Sequence, residues 1–353
     1  MNIERKKTRK IYIGGVPIGG GEPIVVQSMT KTDTRNINAT VRQIKLLERE
    51  GCKIVRVAVP DMQAAKAIGD IKKRINIPLV ADIHFNWRLA VEAIKQGVDA
   101  LRINPGNIGD KEKVKEIVKR AKEKGIPIRV GVNAGSLPKD ILKKYGHPVA
   151  QAMVEAAERH INILNELDFY DIKVSLKASD VWKTIEAYRL FSSKYDYPLH
   201  VGITETGPVP QGVVKSSIGI GLLLMEGIGD TIRVSLTESP VVEVKVAYEI
   251  LRVLGIIKKG PEIISCPTCG RCEINIKKMV HQVQKALKTI SKPITVAVMG
   301  CSVNGPGEAK EADFGLAGGK GHGVIFVKGK IVKTLKEDKL IEALVEEIKR
   351  ETC

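Results

Sequence analysis

The sequence predicts an α/β protein in which a (β/α)8 TIM barrel is followed by a smaller α+β domain. Eight short β-rich runs recur, each is followed by a helical pattern, and the character of the chain changes after Gly255. Alternating strands and helices indicate a parallel sheet, and eight such units close into a barrel. The predicted strands are 24–29, 53–59, 79–84, 101–104, 128–133, 172–179, 200–205 and 232–237.

Helix signals between these strands support the same fold. We predict the first helix over 40–51 with Asn38 or Thr40 as its cap. The eighth is predicted over 239–255, with Ser239 as cap and a proline in the first turn. Such an alternation of strands and capped helices is typical of a barrel.

An N-terminal hairpin and a second domain flank the predicted barrel. The segment "KIYIGGVPIGGGEP" predicts a hairpin that plugs the bottom of the barrel. We place the barrel domain at 1–256, a linker at 257–262 and the second domain at 263–353. The second domain should contain a cysteine loop, a helix at about 273–290, a strand at 294–299, a Gly-rich flexible loop at 315–323, a hairpin at 324–335 and a last helix.

The formal net charge of +17 raises nucleic acid as a partner. However, five Phe, seven Tyr and two Trp leave few platforms on which bases could stack. Much of the excess charge lies on mixed-sign helical faces such as 110–125. A small anionic substrate or an acidic protein partner explains the sign equally well.

Cysteine usage and the lack of long apolar runs indicate the compartment. No run reaches the length of a membrane span, and the N-terminus lacks an apolar signal region. Six cysteines, four of them clustered near one end, favour metal ligation in a reducing compartment over a disulfide framework. We therefore expect a cytoplasmic protein that binds no membrane.

Polar and cationic residues share one face of several predicted strands. Side chains alternate along a strand, so one set faces the lumen of a barrel. This set contains Arg56, Arg102, Asn104, Arg129, Asn133, Lys173, Lys177, Arg233 and Ser235. A lone arginine would pair with a carboxylate such as Asp82 or Glu205, but two carboxylates cannot offset five or six cations, and unpaired buried charge costs several kcal/mol per ion. We therefore expect a phosphate or diphosphate in the lumen.

The segment "SCPTCGRC" (265–272) places Cys266, Cys269 and Cys272 at a metal-ligand spacing. A tetrahedral ion or a cubane cluster needs a fourth ligand, and Cys301 and Glu308 in "MGCSVNGPGEA" are the candidates. A zinc ribbon usually shows two Cys-x2-Cys knuckles, whereas an iron–sulfur cluster tolerates a remote or non-thiolate ligand. A cluster is favoured, and the spacing alone leaves zinc open.

These two loops, together with "QSMTKTDTRN", "ADIHFN", "RINPGN", "RVGVNAGSL", "SLKAS" and "ITETG", closely resemble the 4-hydroxy-3-methylbut-2-enyl diphosphate synthase family in its bacterial two-domain form. The resemblance covers essentially the whole chain. It implies an iron–sulfur oxidoreductase of the non-mevalonate isoprenoid pathway. The implied reaction opens the ring of 2-C-methyl-D-erythritol 2,4-cyclodiphosphate and removes water to give (E)-4-hydroxy-3-methylbut-2-enyl diphosphate. Two electrons would come from reduced ferredoxin or flavodoxin through a 4Fe–4S cluster.

The resemblance also implies roles for individual residues. The implied cluster ligands are Cys266, Cys269, Cys301 and Glu308, which leaves Cys272 outside the set. The implied substrate contacts are Arg56, Arg102, Arg129, Asn133, Lys177 and Ser235, all of which the lumen pattern had selected. Glu205 would donate a proton to the substrate. The Glu308 carboxylate would be displaced from iron by a substrate oxygen, because a carboxylate holds iron less firmly than a thiolate. Asp82 and His84 match "DIHF" without an assigned role.

The short linker predicts a homodimer. The eighth helix runs back to the bottom of the barrel, whereas substrate groups lie at the top. A seven-residue linker spans at most roughly 25 Å, which is too short to bring the second domain over its own barrel. We therefore expect a head-to-tail dimer in which each cluster domain caps the other chain's barrel, as the family also implies.

Two other functions remain open at this point. One is a non-redox barrel enzyme for a phosphorylated or pterin-like substrate, with a structural zinc in the tail. The other is a basic RNA-binding protein with a zinc knuckle, which would explain the charge and the cysteines but not the polar lumen.

Overall fold

Short runs of buried β-branched residues form the strands of a parallel barrel in the computed structural model, which describes residues 3–258, 260–301, 307 and 310–352. The chain divides into two units, Met1–Ile256 and Ile257–Cys353. The strands of the first unit are β1 (Ile11–Ile13), β2 (Val16–Ile18), β3 (Val25–Met29), β4 (Ile54–Ala58), β5 (Leu79–Asp82), β6 (Ala100–Ile103), β7 (Ile128–Asn133), β8 (Ile172–Lys177), β9 (His200–Val201) and β10 (Thr231–Ile232).

Strands β3 to β10 pair side by side in the order β8-β7-β6-β5-β4-β3-β10-β9. All of these pairings are parallel. The gap between β8 and β9 is bridged by Val174 and Leu199, and the Val174 N–H donates to the Pro198 carbonyl at 2.9 Å. The predicted TIM barrel is therefore confirmed.

Strands β9 and β10 are much shorter than the predicted strands over 200–205 and 232–237. Beyond Val201 the backbone passes very close to the Arg233 carbonyl at Gly202, where a Cβ would collide with that oxygen. The backbone then bonds outside the regular ladder, since Thr204 N–H donates to the Ala178 carbonyl at 3.2 Å. The polar ends of these segments are therefore loops at the carboxyl end of the barrel.

The hairpin formed by β1 and β2 is antiparallel and lies at the other end of the barrel. Its three isoleucines, Ile11, Ile13 and Ile18, are buried in one cluster with Val25, Ile54, Val80 and Ala100. These partners lie at or near the first residues of β3 to β6, so the hairpin covers the amino ends of those strands and leaves their carboxyl ends to the polar residues.

Helices α1 (Ile37–Arg49), α2 (Met62–Lys72), α3 (Trp87–Lys95), α4 (Pro105–Ile108), α5 (Lys111–Lys124), α6 (Lys139–Tyr145), α7 (Ala150–Asn165), α8 (Val181–Lys194), α9 (Gln211–Met225) and α10 (Pro240–Val253) connect the strands. The predicted cap of α1 was wrong: Asn36 accepts from the Ala39 N–H at 3.0 Å, so the helix begins earlier. Ser239 caps α10 as predicted. Among the described residues, no helix combines the length and apolar character needed to cross a membrane.

The described residues of the second unit form a sheet in the order β11-β12-β13-β14-β15. Its strands are β11 (Glu262–Ser265), β12 (Thr295–Met299), β13 (Phe314–Gly318), β14 (His322–Val327) and β15 (Lys330–Lys336), and its helices are α11 (Ile276–Ala286) and α12 (Leu340–Thr352). Strands β11, β12 and β13 are parallel, and β14 and β15 are antiparallel to their neighbours. Side chains of both helices pack with the sheet in one core.

Two predictions in this unit were wrong. The Gly-rich stretch 315–323 begins within the strand β13 instead of being a flexible loop. Its glycines are needed because the Phe326 ring fills the space beside Gly315, and Ile274 fills the space beside Gly318. The helix predicted from about residue 273 begins at Ile276, because Asn275 caps it by accepting from the Lys278 N–H at 3.0 Å.

Candidate active site

Basic side chains from consecutive strands meet inside the barrel. Asp82 of β5 is the register neighbour of Arg102 on β6, which neighbours Arg129 on β7, and Arg129 neighbours Lys173 on β8. Arg102, Arg129 and Lys173 are each no more than 5% exposed. The alternation of side chains along a strand, which sends the intervening apolar side chains under the helices, therefore sends these cations into the lumen.

Asp82 is the carboxylate between two of the arginines. Its Oδ1 lies 3.2 Å from Arg102 Nη1, and its Oδ2 lies 3.6 Å from Arg56 Nε. Burial alone would raise the pKa of Asp82, but Arg56, Arg102 and Arg129 together lower it below its ordinary value. Asp82 is therefore a buried counter-ion, the role that the sequence suggested for it, and the structure adds that it serves two arginines at once.

Arg102 is held by the backbone of β7 as well as by Asp82. Its Nη2 donates to the Gly131 carbonyl at 2.9 Å. Asn104 accepts from the Gly131 N–H at 2.9 Å and donates to the same carbonyl at 3.0 Å. A Cβ on residue 131 would lie 2.8 Å from Arg102 Nε and 3.2 Å from Arg129 Nη1. Glycine at this position therefore leaves room for two guanidinium groups side by side.

Arg129 and Lys177 are buried with little opposite charge. Arg129 Nη1 donates to the Ser175 hydroxyl. Burial and then the neighbouring Arg56 and Arg102 lower the pKa of Arg129 from its ordinary value. Burial, followed by Arg233 and Arg129, likewise lowers the pKa of Lys177 well below that of an exposed lysine. An anion beside these groups would oppose both effects.

Arg233 follows β10 and faces a second buried carboxylate, Glu243. Its Nη2 lies 3.9 Å from Glu243 Oε2, whereas Lys31 Nζ lies 3.0 Å from Glu243 Oε1. Burial, followed by Arg56, lowers the pKa of Arg233 to about 10. Glu243 thus divides its charge between two cations, and it comes from the first turn of α10, where no strand pattern could have selected it.

The described lumen therefore holds more positive than negative charge. Three buried carboxylates of the described residues, Asp82, Asp230 and Glu243, face six cations, and two of these carboxylates are shared with further cations, Arg5 and Lys31. The six cations are Arg56, Arg102, Arg129, Lys173, Lys177 and Arg233. The buried Nε atoms of Arg102, Arg129 and Arg233 have no hydrogen-bond partner among the described residues. Because uncompensated buried charge is costly, this arrangement favours a multiply charged anion, and guanidinium groups suit phosphate oxygens.

His84 lies above Asp82 at the mouth of the barrel. Its Nδ1 is 3.0 Å from Arg102 Nη1, and its Nε2 is 3.7 Å from Asp82 Oδ1. Partial burial and Arg102 lower the pKa of His84 below its ordinary value, although Asp82 acts in the opposite direction. A neutral imidazole is therefore favoured near neutral pH. Met29 also contacts the site, because Arg56 Nη2 donates to its sulfur at 2.9 Å. The sequence pattern did not select this residue.

The other predicted substrate residues also lie at the carboxyl ends of strands. Asn133 is the last residue of β7 and the register neighbour of Lys177. Ser235 is half-buried, and its carbonyl accepts from the Thr206 hydroxyl. Glu205, the predicted proton donor, is exposed on the loop after β9 and has a left-handed backbone with φ of 53°. Non-glycine residues rarely adopt this conformation, and such strain is concentrated at functional sites.

In the second unit, two parallel strands bring the cysteine loops to one edge. Cys266 and Cys301 follow β11 and β12, whose carboxyl ends are adjacent. The Cys266 N–H donates to the Val298 carbonyl at 3.3 Å, and the Glu273 N–H donates to the Gly300 carbonyl at 2.9 Å. These bonds join the "SCPTCGRC" loop to the segment that carries Cys301.

Cys266 and Cys272 border the same small space. A Cβ on Gly300 would lie 2.5 Å from Cys272 Sγ and 3.3 Å from Cys266 Sγ. Cys272 donates to the Ile274 carbonyl at 3.1 Å, whereas Cys269 is exposed. Glu308 lies outside the described residues. Within the part of the chain that the structure describes, no three His, Cys, Asp or Glu side chains are already arranged around a metal position.

We predict that Gly131→Ala weakens binding of inorganic pyrophosphate, because the added methyl group displaces the guanidinium groups of Arg102 and Arg129. Affinity should fall about tenfold, which corresponds to the loss of one charge-assisted hydrogen bond. The measurement is calorimetric titration of the purified protein. Gly135→Ala is the matched control, because a Cβ there meets open space. Equal affinities for the two variants would contradict the proposed anion site.

Comparisons with known proteins agree with the fold. Residues 8–248 match the GcpE TIM-barrel domain, and residues 262–350 match the GcpE protein C-terminal domain. A relative from Thermodesulfovibrio yellowstonii is 76% identical over 348 residues, covering 99% of this chain and 100% of that protein. One from Caldanaerobacter subterraneus subsp. tengcongensis is 61% identical over 346 residues, covering 98% of both chains. A third, from Clostridium tetani, is 59% identical over 347 residues, covering 98% of this chain and 99% of that protein.

Each of these relatives is named 4-hydroxy-3-methylbut-2-en-1-yl diphosphate synthase (flavodoxin). The two domain matches occur in the same order as the two units of the structure. Over nearly its full length, this chain therefore belongs to the GcpE family.

Proposed function

We propose that this protein is an iron–sulfur oxidoreductase that converts 2-C-methyl-D-erythritol 2,4-cyclodiphosphate to (E)-4-hydroxy-3-methylbut-2-enyl diphosphate. The observation that carries the proposal is the excess of buried cations over carboxylates in the barrel of a chain that is 76% identical to an enzyme of this name. The negative charge of a cyclic diphosphate would balance this excess of positive charge. A substrate bound in the lumen also explains why the cations lie inside the barrel. The reaction consumes two electrons and one proton, breaks one ring C–O bond and releases water.

The barrel residues bind the diphosphate and stabilise the charge that ring opening creates. Opening the ring turns a bridging ester oxygen into a terminal phosphate oxygen, which gains negative charge. Arg56, Arg102 and Arg129 are fixed beside Asp82 before substrate arrives, so they need little rearrangement to stabilise this charge. Lys177, Asn133 and Ser235 complete the proposed set of substrate contacts.

Glu205 is proposed to protonate the hydroxyl group that leaves as water. Its exposed carboxylate lies on the loop after β9, at the end of the barrel that carries the arginines. Asp82 and His84 are proposed as positioning residues, since both contact Arg102. In this scheme the arginines hold the diphosphate and the carboxylate at position 205 supplies the proton.

The cysteine loops of the second unit suit a 4Fe–4S cluster. Thiolates are the usual ligands of such a cluster, and these lie on the loops after two adjacent parallel strands. A Cβ on Gly300 would lie 2.5 Å from Cys272 Sγ and 3.3 Å from Cys266 Sγ, so glycine keeps the space beside these sulfurs open. We propose Cys266, Cys269, Cys301 and Glu308 as ligands. When bound, the cluster supplies the two electrons of the reaction. Cys272, whose thiol donates to the Ile274 carbonyl, is left outside the proposed set.

Thiolate ligands require a reducing compartment, so a cytoplasmic location is part of the proposal. The electron donor is a reduced flavodoxin, as the names of the relatives state for those proteins, or a ferredoxin. Among the three functions that the sequence left open, family membership favours the iron–sulfur enzyme over the zinc-containing barrel enzyme and the RNA-binding protein.

We also propose the head-to-tail dimer. The segment 254–261 joins the end of α10 to the start of β11 and spans roughly 28 Å when fully extended. Helix α10 runs antiparallel to the strands, so this segment starts at the end of the barrel opposite to the arginines. The length of this segment does not limit the second unit of a partner subunit, which we therefore propose to lie at the arginine end of the barrel.

We predict that Gly300→Ala lowers the iron and acid-labile sulfide content of protein reconstituted without oxygen, because its methyl group occupies the space beside Cys266 and Cys272. The loss should be several-fold relative to the unsubstituted protein. Gly270→Ala, in the first cysteine loop, is the control, because no described atom lies within 4 Å of a Cβ there. If both variants take up full iron, the position of the cluster is wrong.

We predict different results for two ligand substitutions. Cys301→Ser should lose most of the iron, because a thiolate ligand is removed. Glu308→Ala should keep most of the iron and lose turnover, because the displaceable ligand is removed. An oxygen-free assay with the cyclodiphosphate and reduced flavodoxin measures turnover, and iron analysis measures the cluster. Loss of iron in Cys272→Ser combined with full activity in Glu308→Ala would show that the ligand assignment is wrong.

The dimer can be tested by mixing two inactive variants. A hybrid of one Arg129→Met chain and one Cys301→Ser chain should contain one intact site out of two, because each site would combine the barrel of one chain with the second unit of the other. Co-expression with two different affinity tags isolates the hybrid. Activity of about half the wild-type value per dimer is expected. An inactive hybrid would indicate that each chain caps its own barrel.

A further inference from the structure

One face of α11 carries exposed basic side chains beside the cysteine loop. Lys277, His281, Lys285 and Lys288 are all exposed and follow each other at helical spacing along α11 and the short 3-10 turn after it. The opposite face, with Ile276, Met279 and Val283, is buried in the core of the unit. The basic side chains therefore project away from the core and toward solvent.

No carboxylate on α11 itself offsets the charge of this face, and those of α12 and the turn before it line a groove with Lys278, Gln282 and Ala286 instead. The sequence has no Asp or Glu from Ile274 through Gly307, a stretch that contains five lysines. Carboxylates of the unit are concentrated instead around α12, within 337–351. The ion pairs between described residues of this unit also involve α12 or the turn before it. Basic and acidic groups are thus separated onto different helices.

A groove connects the basic face to the cysteine loop. It has a volume of about 780 Å³ and lies wholly within the second unit. Cys266, Pro267 and Thr268 line one side, and Lys277, His281 and Gln284 of α11 line the other. A protein that bound across this groove would contact the loop that carries the proposed cluster ligands and the lysines at the same time.

We infer that the basic face of α11, defined as Lys277, His281, Lys285 and Lys288, is the docking surface for the protein electron donor, and that the donor presents an acidic surface around its redox group. The inference rests on the proposed function, because it requires a protein that delivers electrons to the cysteine loop. Complementary charge raises the rate of encounter and fixes orientation more than it adds affinity. Such a complex is short-lived, which suits a donor that must leave after each electron transfer.

The location of the charge supports this partner over the substrate. The substrate cations of the barrel are buried in the first unit, whereas the α11 lysines are exposed in the second. A small diphosphate is held by enclosed guanidinium groups, but a protein surface needs exposed, spaced charges. The net charge of +17 therefore includes buried cations that bind the diphosphate and exposed lysines that attract a protein partner.

The test compares Lys277→Glu and Lys285→Glu with Lys330→Glu as the control, all in the cluster-containing enzyme. Lys277 lies in the first turn of α11, where a glutamate is favourable to the helix dipole, so this change should not unfold the unit. Lys330 is equally exposed and lies at the start of β15, opposite Val327 and so at the edge of the sheet away from the cysteine loops. All three changes alter the net charge by the same amount.

The expected result is a KM for reduced flavodoxin raised about tenfold in Lys277→Glu and Lys285→Glu, with a shallower dependence on salt. Turnover with a small chemical donor, dithionite-reduced methyl viologen, should equal that of the wild type in all three variants. Titration of the oxidised enzyme with flavodoxin should give the same loss of affinity. Lys330→Glu should resemble the wild type in every measurement.

Equal KM values for flavodoxin in Lys277→Glu and Lys330→Glu would overturn the inference, as would a loss of turnover with both donors. Binding of a mixed-sequence RNA that depends on Lys277 and Lys285 and displaces flavodoxin would assign the face to nucleic acid instead. If the wild type turned over with neither donor, the proposed function would fail. The flavodoxin titration would then still decide whether α11 is a docking surface.

Discussion

An excess of buried positive charge is the constraint on which the barrel interior depends. Guanidinium and ammonium groups converge there, and three carboxylates of the described residues, Asp82, Asp230 and Glu243, oppose them. Each unpaired cation costs free energy that the apolar packing under the helices must offset. An anion with several charges relieves this cost, so the stability of the barrel and its affinity for diphosphate are two results of the same arrangement.

The backbone around this site is adapted to the bulk and the charge of the cations. Gly131 gives two guanidinium groups room to lie side by side, and Gly202 allows the backbone to pass close to the Arg233 carbonyl. Strands β9 and β10 end early as a result, and their polar continuations become loops at the mouth of the barrel. The regular hydrogen bonding between strands therefore ends where the chemistry is proposed to occur.

In the second unit, the ends of two strands bring the cysteine loops together. Two adjacent parallel strands end at the same edge, so the loops that follow them carry their cysteines to one place. Helix α11 begins directly after the first of these loops and brings its lysines to the same region. The proposed electron acceptor and the proposed approach of the donor therefore depend on the same few turns of chain.

The sequence by itself determined the barrel, the two-unit organisation of the matched family and the cationic lumen, because hydrophobic periodicity and strand alternation are local properties. It could not determine that Asp82 lies between Arg56 and Arg102, or that Glu243 reaches Arg233 from a helix, because those contacts join distant segments. The strand β13 was missed for the same reason. Its glycines resemble a flexible loop until Phe326 and other side chains from distant segments are seen to fill the space beside them, and only the tertiary structure brings those side chains there.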